Sequence, residues 1–309
     1  MTLRLGTRGS ALAMAQSNTV AEAVRQRTGR EVELVEIVTP GDRSSAPIQQ
    51  LGVGVFVSAL RDALLANEID FAVHSYKDLP TAPAKGLVVA AIPQREDPRD
   101  ALVARDGMML NELPEGARIG TGALRRIAQL NALGRRLQPQ PVRGNVDTRL
   151  RKLAEGQFDA IVLARAGMAR LGRAAEVTEV LDPLLMLPAP AQGALAVECR
   201  EDDVELRGLL SALDDEYTRA AVTAERALLA ELEAGCSAPI AALAEVAEGD
   251  EGPEIYLRGA VFSPDGGFAL RLSRTGTLAD AAEVGRALAR DLREEGADNA
   301  LGVQHDPHP

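Results

Sequence analysis

The sequence predicts an α/β protein: two doubly wound lobes, followed by a C-terminal α+β domain. Three observations carry that expectation. Short apolar runs alternate with helix-spaced segments through the first two thirds of the chain, the pattern of strands joined by crossover helices in a parallel sheet. Two Pro-rich breaks, at 93–99 and 187–190, interrupt the alternation. Beyond about residue 215 the pattern changes to a helix, three consecutive strands and a helix. The 309 residues suit two or three domains at roughly 150 residues each.

The elements follow in order. Leu3 to Gly6 reads as a first strand, and 10–28 as a helix with apolar positions at Leu12, Ala13, Val20, Ala23 and Val24. Val32 to Val38 alternates apolar and acidic residues, a strand. Residues 56–66 look helical, and Phe71–Val73 and Leu87–Ile92 are buried-strand runs. After the first break come strands at 101–104, 118–120, 140–142 and 160–163, with helices from Ala123 and around 148–155. After the second break, Ala194 to Cys199 is again a strand. The last part gives a helix at 217–232, strands at 240–246, 255–262 and 268–275, and a final helix at about 277–295. Pro264-Asp265-Gly266-Gly267 between the last two strands is a hairpin turn.

Read as a paired hinge, the two breaks divide the chain into a discontinuous first domain (1–95 and 192–214), a second (96–191) and a third (215–309), with a loose tail from about 298. The alternative is three domains strictly in series.

Composition excludes several classes. With 46% hydrophobic and 26% charged residues, disorder and low-complexity readings fail. No apolar run approaches the ~20 residues of a membrane helix. The N-terminus lacks the basic head and apolar stretch of a signal peptide, so a cytoplasmic protein is expected. Two cysteines, Cys199 and Cys236, make neither a disulfide framework nor a zinc cage. Of three histidines, His305 and His308 lie in the polar tail, which leaves His74 alone in a folded region and argues against a metal site.

The formal charge of −11 hides an asymmetry: residues 95–175 hold 15 basic and 9 acidic residues, a net +6, leaving −17 for the rest. An acidic protein with a basic middle domain suits an anionic ligand. The arginines gather where strands give way to helices: Thr7-Arg8-Gly9-Ser10, Gly120-Thr121-Gly122-Ala123-Leu124-Arg125-Arg126, and Arg143-Gly144-Asn145-Val146-Asp147-Thr148-Arg149. Free N–H groups at a helix start favour anions, and a guanidinium adds a fork for a carboxylate or phosphate. Nucleic acid is disfavoured, because Phe158 is the only aromatic residue in that stretch on which a base could stack.

Two chemical groups stand apart. In His74-Ser75-Tyr76-Lys77-Asp78-Leu79-Pro80, Asp78 falls past the end of an apolar strand, where open α/β sheets place their chemistry. A buried carboxylate there, beside Lys77, would meet a developing positive charge. Alone, the aspartate reads more readily as a turn former. Cys236 lies in the loop Glu233-Ala234-Gly235-Cys236-Ser237-Ala238-Pro239, where a thiolate can react, and covalent attachment suits it better than repeated catalysis. Cys199, on a strand, reads as inert.

These pieces, in this order, resemble the porphobilinogen deaminase (hydroxymethylbilane synthase) family along nearly the whole chain. The matching runs are residues 4–13, Thr39 with Gly41-Asp42, His74–Pro80, Ile119-Gly120-Thr121 with Leu124-Arg125-Arg126, Arg143–Val146 with Thr148-Arg149-Leu150, Gln192-Gly193-Ala194 with Glu198-Cys199-Arg200, and Gly235-Cys236 with Pro239.

The resemblance implies two lobes resembling periplasmic binding proteins and a cysteine-bearing third domain. It implies a transferase of tetrapyrrole (heme) biosynthesis. That enzyme joins four porphobilinogen molecules head to tail on a dipyrromethane cofactor, held by Cys236 through a thioether, and releases hydroxymethylbilane with water. By the same resemblance Asp78, with Lys77, is catalytic beside the cationic intermediate. Lys77, Asp78, Thr121, Arg125, Arg126, Arg143 and Gly144 contact the cofactor, and Arg8, Ser10, Phe56, Arg149, Arg170 and Gln192 the substrate. A monomer without nucleic-acid or membrane partners is expected. The sequence departs from the family in a lysine-free loop at 49–58, in Ala123 where serine is common, and in Ala234 where glycine is frequent. A two-lobed anion-binding module and a thiol-dependent transferase remain as alternatives.

Overall fold

The computed structural model describes residues 2–38, 57–232, 239–249 and 252–301. In chain order the elements begin with β1 (Leu3–Thr7), α1 (Ala11–Thr28), β2 (Val32–Glu36), α2 (Ser58–Leu65), β3 (Phe71–Ser75) and β4 (Leu87–Ala91). Next come β5 (Asp100–Ala104), β6 (Arg118–Gly120), α3 (Leu124–Ala132), β7 (Gln138–Gln140), α4 (Val146–Ala154), β8 (Ala160–Ala164), α5 (Arg165–Arg170) and β9 (Glu179–Val180). The chain ends with β10 (Leu195–Arg200), α6 (Val204–Leu210), α7 (Glu216–Glu231), β11 (Ile240–Gly249), β12 (Gly252–Phe262), β13 (Ala269–Thr277), α8 (Ala281–Glu294) and α9 (Ala297–Leu301). No helix among the described residues is long and apolar enough to cross a membrane.

Among the described residues the strands form three sheets, ordered β2-β1-β3-β10-β4, β7-β6-β8-β5-β9 and β11-β12-β13. They are distributed over two compact units, residues 1–96 with 193–219, and residues 97–192 with 220–309.

In the first unit both faces of the sheet are covered. Val20, Ala21 and Val24 of α1, with Leu206 and Leu210 of α6, pack on Leu5, Phe71, Val73 and Val197. Leu60, Ala63 and Leu64 of α2 pack with Ala72 on the other side. That is why Phe71-Ala72-Val73 is an unbroken apolar run: a strand with two dry faces has no polar side to alternate.

In the second unit the middle sheet is built alike. Leu130 of α3 packs on Leu102, Ile119 and Val162, while Leu150 and Leu153 of α4 pack with Val103, Ile161 and Leu163. A further cluster, Ala128, Leu187, Ala241, Leu243, Ala260 and Phe262, joins α3 to β11 and β12. The turn after β12 adds to that join. Gly266, at φ +76°, lies so close to α3 that a Cβ would come within 2.7 Å of the Ala128 carbonyl oxygen.

Four sequence expectations need correction. The first two sheets are mixed, not parallel: β10 runs antiparallel to β3 and β4, and β5 antiparallel to β8 and β9. Neither β10 nor β5 follows a crossover helix from its neighbours, so nothing imposes a parallel direction. The strand expected at 140–142 is Gln138–Gln140, paired with Arg118–Gly120. The final helix starts at Ala281, because β13 continues to Thr277 against Glu254. The tail expected from about 298 begins as α9, held by Ala297, which is fully buried in the C-terminal core.

That core packs α7 and α8 against the third sheet through Ala224, Leu228, Leu288 and Leu292. The helices approach closely at Gly285, where a Cβ would stand 2.2 Å from the Ala224 carbonyl oxygen and 2.9 Å from the Leu228 nitrogen. Backbone cannot yield as a side chain does. Gly285→Ala should therefore cost about 1–3 kcal/mol despite its better helix propensity, read as a lower urea midpoint. An unchanged or raised midpoint would show that the helix pair has slack.

Candidate functional site

In the first unit, β1 and β3 are parallel neighbours, with Leu5 opposite Phe71 and Gly6 opposite Ala72. Their C-terminal ends share one sheet edge. β1 there lies between β2 and β3, so the connections to either side diverge, the place where open α/β sheets bind ligands. Arg8 and Ser10 follow β1 at this edge, and a 3₁₀ turn, Tyr76–Asp78, follows β3. The Ser10 hydroxyl oxygen accepts from the Ala13 N–H at 3.3 Å and so caps α1. From α1, the Gln16 side chain donates to the Ser75 Oγ at 2.8 Å, tying the helix to the turn. Behind the turn, buried Glu198 receives Arg61 at 2.8 Å and faces His74 Nε2 at 3.1 Å. Burial alone would raise the Glu198 carboxyl, but His74 and Arg61 outweigh it and hold it below the usual range.

Asp78 itself is exposed and Lys77 half-buried. The buried carboxylate read from the sequence is thus an exposed one, because the 3₁₀ turn carries it off the strand end while Leu79 turns into the core.

In the second unit, β6 has parallel neighbours β7 and β8, and all three end at one edge. β6 leads through Thr121 into α3 with Arg125 and Arg126, β7 through Arg143 and Gly144 into α4 with Arg149, and β8 directly into α5 with Arg170. Thr121 is fully buried and its N–H donates to the Gln140 carbonyl at 2.9 Å. Gly144 has φ +102°, and a Cβ there would stand 2.5 Å from Thr148 Cγ2, so the turn requires glycine. Its carbonyl accepts from Arg149 Nε at 2.8 Å. Burial, with Arg126 and Arg143 close by, pushes the Arg149 guanidinium down to about 10. It stays charged near neutrality, under repulsion that a bound carboxylate would relieve. Arg143 is exposed and Arg170 half-buried.

Because β5 runs antiparallel to β8, its first residue, Asp100, lies opposite Ala164 at this same edge. Asp100 is 0% exposed, and Arg125 and Arg126 are each 5% exposed. Asp100 Oδ2 lies 2.8 Å from Arg125 Nη1. Asp100 Oδ1 accepts from Arg126 Nη2 at 2.7 Å and Nε at 3.1 Å, and from the Gln192 side-chain amide at 2.8 Å. Arg126 Nη1 donates to the Val162 carbonyl at 2.9 Å, and Arg125 Nη1 to that of Leu187. Burial would raise the Asp100 carboxyl, but the two guanidinium charges outweigh it and hold it far below the usual range. A carboxyl lowered by folding stabilises the fold in full above its unfolded value, and that contribution is lost progressively as pH falls from there to the folded value.

Asp100 is the residue that sequence reasoning missed. Its signal was an acidic residue opening the apolar run Asp100-Ala101-Leu102-Val103-Ala104, a position that demands a cationic partner. Gln192, read as a substrate contact, is fully buried with its amide on Asp100 and on the Pro98 carbonyl. Cys199 is buried with its thiol pushed up to about 11, chiefly by burial, which agrees with an inert role. Cys236 and Phe56 lie outside the described residues, as do Thr39, Gly41 and Asp42.

The family described as "Porphobilinogen deaminase, dipyromethane cofactor binding domain" matches residues 3–208, and "Porphobilinogen deaminase, C-terminal domain" matches 219–294. A porphobilinogen deaminase of Nocardia farcinica is 61% identical over 97% of this chain and 88% of its own. One of Mycobacterium avium is 57% identical over 99% and 98%. Among solved structures, a periplasmic substrate-binding protein of an ABC transporter from Coxiella burnetii covers 68% of this chain and 91% of its own at 14% identity, with a TM-score of 0.45, too slight a likeness to argue from. Matched in both of its domains and along almost its entire length, the chain belongs to the porphobilinogen deaminase family.

Proposed function

We propose that the protein is a cytoplasmic, monomeric hydroxymethylbilane synthase whose dipyrromethane cofactor hangs on Cys236. Its discontinuous first lobe would carry Asp78, its middle lobe the arginines and its C-terminal domain the cysteine. Four porphobilinogen molecules and one water become hydroxymethylbilane and four ammonia. The observation that carries this reading is the arginine edge of the second unit. Arg126 and Arg143 both repel Arg149 there, and the two buried arginines Arg125 and Arg126 share the single carboxylate of Asp100. A ligand bearing two carboxylates per pyrrole fits such a surplus of guanidinium charge. That fit extends to the cofactor, which Thr121, Arg125, Arg126, Arg143 and Gly144 would hold. When bound, the cofactor supplies the nucleophilic pyrrole carbon from which the chain grows.

The residues of this chain do the rest. Arg8 in the first unit, and Arg149 and Arg170 in the second, would each bind acetate or propionate groups of the ligand. Loss of ammonia from porphobilinogen leaves a cation, and the carboxylate of Asp78, beside Lys77, stabilises it. Exposed to solvent, the Asp78 charge acts more weakly than it would in a dry site. The Glu198 cluster supports the strand end from which Asp78 projects. Gln192 and Ser10, engaged in internal hydrogen bonds, serve the ligand mainly by shaping the backbone around it.

Three outcomes check the reading. Purified protein supplied with porphobilinogen should be heavier than its sequence by two linked pyrrole units, and Cys236→Ala should remove the excess. A sequence-value mass, or an adduct on Cys199, overturns the cofactor assignment. Asp78→Asn should keep the fold and lower turnover by about two to three powers of ten, the cost of losing one preorganised electrostatic group. Near wild-type turnover by the folded variant removes Asp78 from catalysis. Arg149→Leu should weaken substrate binding by roughly one to two powers of ten, equivalent to ~1.5–3 kcal/mol for a charged hydrogen bond. Lysine should restore only part, since it offers a point charge in place of a fork. Wild-type KM in both variants would make Arg149 a bystander.

A further inference from the structure

We propose that Asp100 is a positioning residue: a built-in counterion that holds Arg125 and Arg126 in their ligand-gripping arrangement and neutralises one of their two charges. The inference rests on the reading that these arginines bind carboxylates.

The geometry is that of a clamp. Asp100 opens β5, opposite the end of β8, so the antiparallel pairing itself delivers a carboxylate to the edge where three parallel strands deliver arginines. Arg125 and Arg126 are adjacent in the first turn of α3 and take opposite oxygens of the one carboxylate. A guanidinium has five N–H donors. For Arg126 three are engaged inside the protein, two on Asp100 and one on the Val162 carbonyl, which fixes the plane of the group and leaves two for a ligand. Gln192 in turn anchors Asp100, donating to it and to the Pro98 carbonyl. The side chain of Ala123, at the N-cap of α3, can offer no hydrogen bond, so orientation depends on the carboxylate behind the arginines and not on a cap in front of them.

The charge arithmetic matters as much as the geometry. Two buried guanidinium groups share one carboxylate, so the trio keeps one positive charge at very low exposure. An uncompensated buried charge is costly, and a bound anion offsets that cost. Without Asp100 the two arginines would hold two such charges. The pair would then be less ordered without ligand and would depend more strongly on an external anion. Asp100 thus keeps the site assembled before any ligand arrives and moderates how tightly the ligand is held. Ordinary packing of an Asp side chain would produce no such dependence on anions.

The test uses full-length Cys236→Ala, shown by intact mass to carry no adduct, with inorganic phosphate as the probe at constant ionic strength against chloride. Phosphate should raise its Tm. Adding Asp100→Asn should lower Tm in chloride and enlarge the phosphate-induced rise by about twofold or more, because binding to the folded state alone shifts stability by mass action. Equal rises in the two proteins overturn the proposal and leave Asp100 a packing residue. No rise in either overturns both this proposal and the anion-site reading of the arginines, whereas an adduct persisting in Cys236→Ala strikes only the cofactor assignment. If the Asp100→Asn protein does not fold, Arg125→Gln is added to it. Removing one of the two stranded charges should restore a cooperative melt, and failure to do so overturns the counterion role.

Discussion

A carboxylate excluded from water at the start of a strand has to be surrounded by donors, and the second unit is organised around that demand. Asp100 takes up Arg125, Arg126 and Gln192, and these draw in the Val162, Leu187 and Pro98 carbonyls. The first turn of α3, the end of β8 and the Pro-rich segment at 187–192 are thereby held together by charge, where apolar packing alone would leave their relative rotation loose. A buried ion cluster of this kind adds little net stability over a hydrophobic one, but losing one member strands the others. Its value here is geometric: it holds the guanidinium groups in a fixed plane, and under the proposed function a ligand carboxylate would meet them already ordered.

The same segment is gripped from the C-terminal side. Glu225 of α7, fully buried, accepts from the Ala191 N–H through one oxygen and from the Ala244 N–H of β11 through the other. Ala191 has φ +59°, a conformation that costs a non-glycine residue energy and persists only where its surroundings enforce it. Glu225 is part of that enforcement. A hydrogen-bonded route therefore runs from the helix that leads toward Cys236, through Ala191 and Gln192, to Asp100 and the arginines. The middle and C-terminal sheets are thus parts of one packed unit, with a shared core at Ala128, Leu187 and Phe262.

The first unit uses a comparable device for a different end. Glu198 of β10, between Arg61 of α2 and His74 of β3, pins a strand that enters its sheet antiparallel after the chain has built the middle lobe. The strand end carrying Lys77 and Asp78 is thus braced from behind while Asp78 itself faces solvent. Rigid support beneath an exposed carboxylate is what the role proposed for Asp78 would call for, since the group would then meet successive ligands without being rebuilt between them.

The sequence by itself determined what is local. Strand–turn–helix joints with a small residue and an arginine, the run from His74 to Pro80, the apolar strands of a two-faced sheet and the hairpin at Pro264–Gly267 are each written in a few consecutive residues, and together they carry the family. The tertiary structure decided what depends on partners far along the chain. Asp100 gains its meaning from Arg126, 26 residues on, and from Gln192, 92 residues on, and no spacing rule links them. The antiparallel entry of β5 and β10, the helix at Ala297–Leu301 in place of a tail and the exposure of Asp78 were equally hidden. Strand direction, burial and the pairing of charges are set by which surfaces meet once the chain has folded, and a residue's neighbours in sequence do not carry that information.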